Sequence, residues 1–428
     1  MPGTWPAPAK NMEDARMFLK ECASSRERTL ILPDKDADGL CAGLIIYRTL
    51  VLLGVSPTQI SVHFVSKGSN VHEEEERTQM QTYGAKYVIA VDQGSRGGGP
   101  LLESTDGGEV KCLVVDHHWS KEFPDGALVL SAAQSPPVAT SSTLAYVLCC
   151  PLHSKVCDVS DYLCAIGTMG DLGSNMKWED PWPVEDMKSC IKKYGKKTLS
   201  DAVRLVNAPR RTASYDVSAA WQSLLYTSSP RSITEAPTAS TPSFIRRLYT
   251  AQAEVKSETD RWSHAPPKFS GDGRVALIRI TSSAQIHPLI ATRWANSLKS
   301  SKLEIVMCAN DGYLPNMTNF SCRVARCAPA RGGNASTSSD PQVPVNIIEV
   351  LIEYASRVPG LRESMGTNFA RGHKEASGGI VRSEDFERLW SVMQESQTPQ
   401  DDGGSPRKKR KKTESPQKNT LEGWVKKT

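Results

Sequence analysis

The first 170 residues alternate short apolar runs with stretches of helical spacing. Thr29–Pro33, Ile60–Val65, Lys86–Val91 and Lys111–Val115 carry dense β-branched and aliphatic residues and predict strands. Leu40–Leu53, Glu73–Tyr83, Ser142–Cys150 and Asp158–Met169 have the spacing of helices. Strand–helix alternation of this kind predicts a doubly wound, mainly parallel α/β sheet. From Trp178 the strand signal fades. Leu199–Val206, Ala219–Leu225 and Phe244–Trp262 read as helices, with Thr227–Pro242 as a Ser/Thr/Pro loop between them. A second α/β unit follows: strand Arg274–Ile280, helix Pro288–Leu298, strands Leu303–Cys308 and Asn319–Ala325, a Gly/Ser/Pro loop over Ala328–Pro344, and helix Val345–Arg357.

The expected organisation is four segments. Residues 1–190 form the doubly wound domain and 191–265 a helical connector. Residues 266–395 form a smaller C-terminal α/β domain, and 396–428 a disordered basic tail.

The net charge of +5 is carried by that tail. Arg407–Thr428 has nine Lys/Arg against two Glu, which leaves 43 basic and 45 acidic groups in the first 406 residues. Global charge therefore gives no reason for the folded part to bind nucleic acid, and any such argument has to come from a local site. No apolar run is long enough to span a membrane, so no membrane partner is expected. The first ten residues lack an apolar core of the secretory kind. The eleven cysteines, with no C-x-x-C pair, read as reduced, mostly buried thiols of a cytosolic or nuclear protein.

Three predicted strands end in acids: Asp34, Asp36 and Asp38 after the first, Asp92 after Val91, and Asp116-His117-His118 after Val115. Asp171 follows the helical Gly167-Thr168. Each alone is ordinary turn or capping chemistry. Four in chain order, each at the end of an element, are better explained by one crevice at the carboxyl ends of the strands. Converging carboxylates repel unless protonated or bridged by cations. Hard oxygens with some imidazole and no thiolate suit two Mn²⁺ or Mg²⁺ ions. Such a pair activates water for in-line attack at phosphorus.

In this order, Asp34-x-Asp36-x-Asp38-Gly39, Val91-Asp92-x-Gly94, Asp116-His117-His118 and Gly167-Thr168-x-x-Asp171 resemble the four motifs of the DHH phosphoesterase superfamily. The three alternating acids resemble its RecJ-like branch. Leu30 stands where the pyrophosphatase and oligoribonuclease branches have a histidine. Phe320-Ser321-Cys322-Arg323 and Gly372-His373-Lys374-Glu375-Ala376-Ser377-Gly378-Gly379 are similar to motifs of the DHH-associated domain, with Arg371 in place of a first glycine.

The resemblance implies that Asp34, Asp36, Asp92, His117 and Asp171 bind two ions, with Asp38 as a further candidate. Asp116 would orient His117, and His118 would face the scissile phosphate. Ser321, Arg323, Gly372, His373 and Gly378 would hold substrate. It implies a metal-dependent hydrolase, foremost a single-strand exonuclease acting through two-metal-activated water. Two alternatives are a small-substrate phosphohydrolase (short oligonucleotide, cyclic nucleotide or polyphosphate) and a catalytically silent replication or repair scaffold.

Three features lie outside these motifs. Lys408, Lys409, Arg410, Lys411 and Lys412 resemble a nuclear localisation signal. Leu421, Trp424 and Val425 have the spacing of a sliding-clamp-binding peptide, without its glutamine. Trp178, Trp182, Trp221 and Trp262 could stack on bases but read mainly as packing residues.

Overall fold

The computed structural model describes residues 5–103, 107–328 and 345–395. The expected localisation signal, the clamp-binding-like peptide and all but the first residue of the Ala328–Pro344 loop lie outside them.

The first sheet contains β1 (Thr29–Pro33), β2 (Ile60–Val62), β3 (Tyr87–Val91), β4 (Lys111–Asp116) and β5 (Ala127–Ser131). Their order is β2-β1-β3-β4-β5, and every pairing is parallel. The near-continuous apolar character of the strands follows from burial on both faces. Ile31, Ile89 and Leu113 join the larger core, beneath helices Ala37–Leu52, Ser141–Cys149 and Val156–Leu172. Leu30, Leu32, Val88, Ala90 and Val114 point the other way and pack with Val71, Met80 and Leu101. The chain leaves β1 for β2 on one side and returns to β3 on the other. The strand order therefore reverses between β1 and β3, where α/β sheets open a crevice for ligands.

The second sheet contains β6 (Lys268–Phe269), β7 (Val275–Ile280), β8 (Ile305–Leu314), β9 (Met317–Val324), β10 (Arg371–His373) and β11 (Ala376–Arg382). Their order is β10-β11-β9-β8-β7-β6. β7 and β8 are parallel, joined through helix His287–Ser297, and the other pairings are antiparallel.

Between the sheets run helices Val184–Tyr194, Lys196–Asn207, Val217–Leu225 and Ser243–Trp262. The expected loop Thr227–Pro242 contains a short helix, Pro230–Thr234, because Ser229 caps it and Pro230 opens it. Arg48, from helix Ala37–Leu52, donates to the carbonyls of Val159, Leu224 and Thr227 and to the Tyr162 hydroxyl. Four acceptors from two stretches of chain thus converge on one guanidinium.

The thiol expectation needs one correction. Cys150 and Cys157 are joined as a disulfide, since the turn before helix Val156–Leu172 brings their Cα atoms to 5.3 Å. The nine other cysteines are free. Trp178, Trp182 and Trp221 are buried and pack edge-on against Trp5, Tyr47 and each other, as core residues do. Among the described residues no helix is long and apolar enough to cross a membrane.

Candidate metal centre

The acids converge because each follows a strand at the crevice, or starts or ends a helix beside it. Asp34 follows β1, and its N–H donates to the Val91 carbonyl at the end of β3. Asp36 caps helix Ala37–Leu52, accepting from the N–H groups of Asp38 and Gly39 at 3.1 and 3.2 Å. Asp92 turns off β3 with φ 62°. Aspartate tolerates that left-handed conformation better than most residues, and it swings the carboxylate into the crevice.

Asp34, Asp36 and Asp92 offer oxygens within 4.8 Å of one another, and an Asp92 oxygen with ring nitrogens of His117 and His118 forms a second group within the same distance. Asp92 belongs to both groups. It lies 3.3 Å from His117 Nε2, and Ser141 Oγ donates to it at 2.8 Å. Asp171 comes off the end of helix Val156–Leu172 and reaches 3.9 Å from His117 Nδ1. Two overlapping groups of hard oxygens and imidazole, sharing one carboxylate, fit a pair of divalent cations.

The electrostatics call for positive charge. Burial, then the Asp38 and Asp36 carboxylates, push Asp92 well above the usual carboxylate range, against the pull of His117. Burial works against a charged His117. Its bond to Asp92 and the charges of Asp92, Asp38 and Asp171 outweigh that and lift it to about 10. In the same way, Asp116 outweighs burial and lifts His118 to about 9. Protons stand here where cations would.

Three of the expected site residues have close partners within the fold. Asp38 lies close enough to act on Asp92 and His117, but both of its oxygens are taken by backbone donors. It is buried, and its two oxygens accept from the N–H groups of Ser141 and Ser142 at 2.8 and 2.9 Å, at the start of helix Ser141–Cys149. This is anion binding at a helix N-terminus by the protein's own side chain. Burial pushes its carboxyl up to about 6. Gly167 serves the same junction: a Cβ there would overlap Ser142 Oγ and come within 3.0 Å of the Asp38 carboxylate.

Asp116 orients His118 rather than His117. Its Oδ1 accepts from His118 Nδ1 at 2.8 Å and from the N–H groups of His117 and His118. His118 is accordingly grouped with the possible ligands. At Gly378 a Cβ would collide with the Phe320 carbonyl on β9, so the absence of a side chain there lets β11 pack closely on β9.

The second sheet closes over this centre. The His373 ring lies 6.3 Å from His118, stacked at 16°, and 6.3 Å from His117. It is held by the β10–β11 hairpin, where Gly372 adopts φ 110°. Arg323 on β9 donates to Ser321 Oγ and to the Cys322 carbonyl, both at 2.8 Å.

Beside Arg323 is a basic group that the sequence did not single out. Lys35 lies 3.2 Å from Asp34, and Arg210 lies 3.8 Å from Asp36. Burial, then Arg210, pulls Arg211 down to about 9. His287 is buried with no partner on Nδ1, and burial, then Arg211 and Arg323, pull it down to about 3. Lys35 was legible as a cation inside the first acidic motif. Arg210, Arg211 and His287 come from the connector and a helix start, where nothing in the local pattern marks them.

Residues 28–166 match the DHH family, N-terminal domain. The single-stranded-DNA-specific exonuclease RecJ of Thermus thermophilus is 28% identical over 179 residues. That alignment covers 40% of this chain and 26% of the relative, so the chain matches about a quarter of that protein's length. Among solved structures, an exonuclease RecJ bound to manganese superposes with a TM-score of 0.59 at 17% identity, covering 91% of this chain and 94% of that one. RecJ of Thermus thermophilus with Mn²⁺ superposes with a TM-score of 0.60 at 17% identity, covering 92% of this chain and 55% of that one. At such identities the superpositions speak for the fold. Residues 28–166 thus carry the DHH family's N-terminal domain by sequence, and the superpositions extend a RecJ-like fold over the rest of the described chain.

Proposed function

We propose that this chain is a metal-dependent hydrolase of phosphodiester bonds that degrades single-stranded nucleic acid from an end. The observation that carries the reading is the facing of opposite charges: shared carboxylates on the first sheet, and Arg323 and His373 on the second. Asp34, Asp36, Asp92, His117, His118 and Asp171 would hold two Mn²⁺ or Mg²⁺ ions. When bound, the ions supply charge neutralisation at the phosphoryl oxygens and make water more acidic. Asp116 fixes the His118 ring through Nδ1, leaving Nε2 without a partner among the described residues. Arg323 and His373 offer donors to a phosphate from the opposite side. The stacked His373 narrows the cleft above the acids, which favours an unpaired strand over a duplex. It also supports a second reading, in which the substrate is a short oligonucleotide or another small phosphate ester. The Lys408–Lys412 run makes the nucleus the proposed location.

The test is hydrolysis of end-labelled single strands, a dinucleotide and polyphosphate by the full chain, with Mn²⁺ and with chelator. Laddered, chelator-sensitive degradation of long strands is the expected result. Cleavage of the dinucleotide alone would move the protein to the second reading. No hydrolysis with metal bound would leave a scaffold.

A further inference from the structure

Trp119 directly follows the Asp116-His117-His118 motif and is 66% exposed, close to the largest exposure of any aromatic residue described. Leaving an indole in water forgoes one of the largest burial gains a side chain offers. Trp119 makes no ring–ring contact among the described residues, and its indole nitrogen has no hydrogen-bond partner there. Lys121 Nζ lies 5.7 Å from the ring centroid. The indole is therefore presented beside His118, whose ring stacks on His373 across the cleft.

The loop carrying Trp119 runs beside the loop carrying Arg96. Gly98 bridges Pro124, the Asp125 N–H donates to the Gly98 carbonyl at 3.0 Å, and Glu122 packs against Gly97. Arg96 and Arg77 on the first domain and Arg371 on the second surround half-buried His72. Burial, then Arg96, Arg77 and Arg371, pull that imidazole down to about 4. None of the three arginines has an acidic partner among the described residues. Arg371 donates through Nε to the Thr367 carbonyl at 2.8 Å, and it occupies the position where the related motif has glycine.

An exposed aromatic plane with a lysine beside it, on a loop that runs against an arginine-bearing one, is the recognition chemistry of unpaired nucleic acid: bases stack and phosphates pair. We propose that Trp119 is a stacking platform for a nucleobase flanking the cleaved bond, with Lys121, Arg96 and Arg371 beside the strand's phosphates. The inference rests on the hydrolase reading for its cleft, and it narrows the substrate class from any phosphate ester to single-stranded nucleic acid.

The test uses the full chain in chelator, so that binding is read without turnover. The probes are a fluorescein-labelled oligothymidylate of about 15 nucleotides and an abasic oligomer of equal length. By anisotropy, Trp119→Ala should weaken oligothymidylate binding by about five- to a hundredfold, the range expected for one stacked base. It should leave abasic binding unchanged, and Trp119→Phe should restore most of the loss. Equal weakening on both probes, or none on oligothymidylate, overturns the platform. A failure of the hydrolase reading appears separately, as absence of chelator-sensitive cleavage of the same oligothymidylate by the unmodified chain with Mn²⁺.

Discussion

The two sheets bring opposite charge to one cleft. The parallel sheet contributes Asp34, Asp36, Asp92 and Asp116, and its companion helix Val156–Leu172 adds Asp171. The second domain contributes Arg323, His373 and Arg371. On the first side burial and neighbouring carboxylates push Asp92 up, and on the second burial pulls the arginines down. Each side is strained in isolation, and in opposite directions. The acids call for cations and the arginines for an anion, which is the charge pattern the proposed hydrolysis of a phosphate ester requires.

The sharpest way to break the contrast is at the shared acid. Asp92→Asn removes a member of both ligand groups and should cost on the order of a thousandfold or more in metal-dependent hydrolysis. The same substitution should raise the melting temperature of the metal-free protein. Its raised carboxyl makes folding less favourable once the pH exceeds the unfolded value, and the amide removes that penalty. Unchanged turnover, or a fall in metal-free melting temperature, would contradict the assignment.

On the opposite side, Arg323→Ala should cost roughly ten- to a hundredfold in kcat/KM, the worth of one charge-assisted pair. Mn²⁺ affinity measured by calorimetry should hardly change. A large loss of metal affinity would place Arg323 on the wrong side of the comparison.

A third experiment varies pH. Because His117 holds its proton up to about 10 in the metal-free protein, metal must displace it. Mn²⁺ affinity should therefore rise with pH across the neutral range, with proton release visible as a buffer-dependent binding enthalpy. The pH-independent outcome would exclude His117 as a ligand. The smallest effect is expected at Asp38. Asp38→Asn trades one of the two oxygens that accept from the helix N–H groups for an amide donor, but it also removes a charge that burial disfavours. The two effects oppose, so stability in denaturant titration should change by less than about 1 kcal/mol, with metal binding spared.

The acids were legible because their positions are set locally. A strand that stops at the crevice leaves its next residue there, so Asp34, Asp92 and Asp116 could be placed from hydrophobic runs alone. What each carboxylate does once there was less legible. Asp38 and Asp116 have the same chemistry as their neighbours, and only the fold shows that one faces Ser141 and Ser142 while the other holds His118. The second domain was harder. Arg323 and His373 were reached through family resemblance. Arg210, Arg211 and His287 are assembled from segments far apart in sequence. Strand β5 and the opening helix Ala9–Ser25 were missed for a related reason. β5 is half-buried at a sheet edge, and its five residues give little periodicity.

The clasp at Arg48 bears on how the molecule comes to be built. Its guanidinium sits in the second helix, yet two of its acceptors, the carbonyls of Leu224 and Thr227, lie 176 and 179 residues further along the chain. During synthesis that charge is made long before its partners exist, and a half-buried guanidinium lacking half its acceptors is costly. The first sheet and the connector helices as far as Thr227 are therefore expected to fold together. A fragment cut at residue 190 would hold all of the acids and still lack what completes its fold, so the smallest piece able to carry the centre ends beyond Thr227.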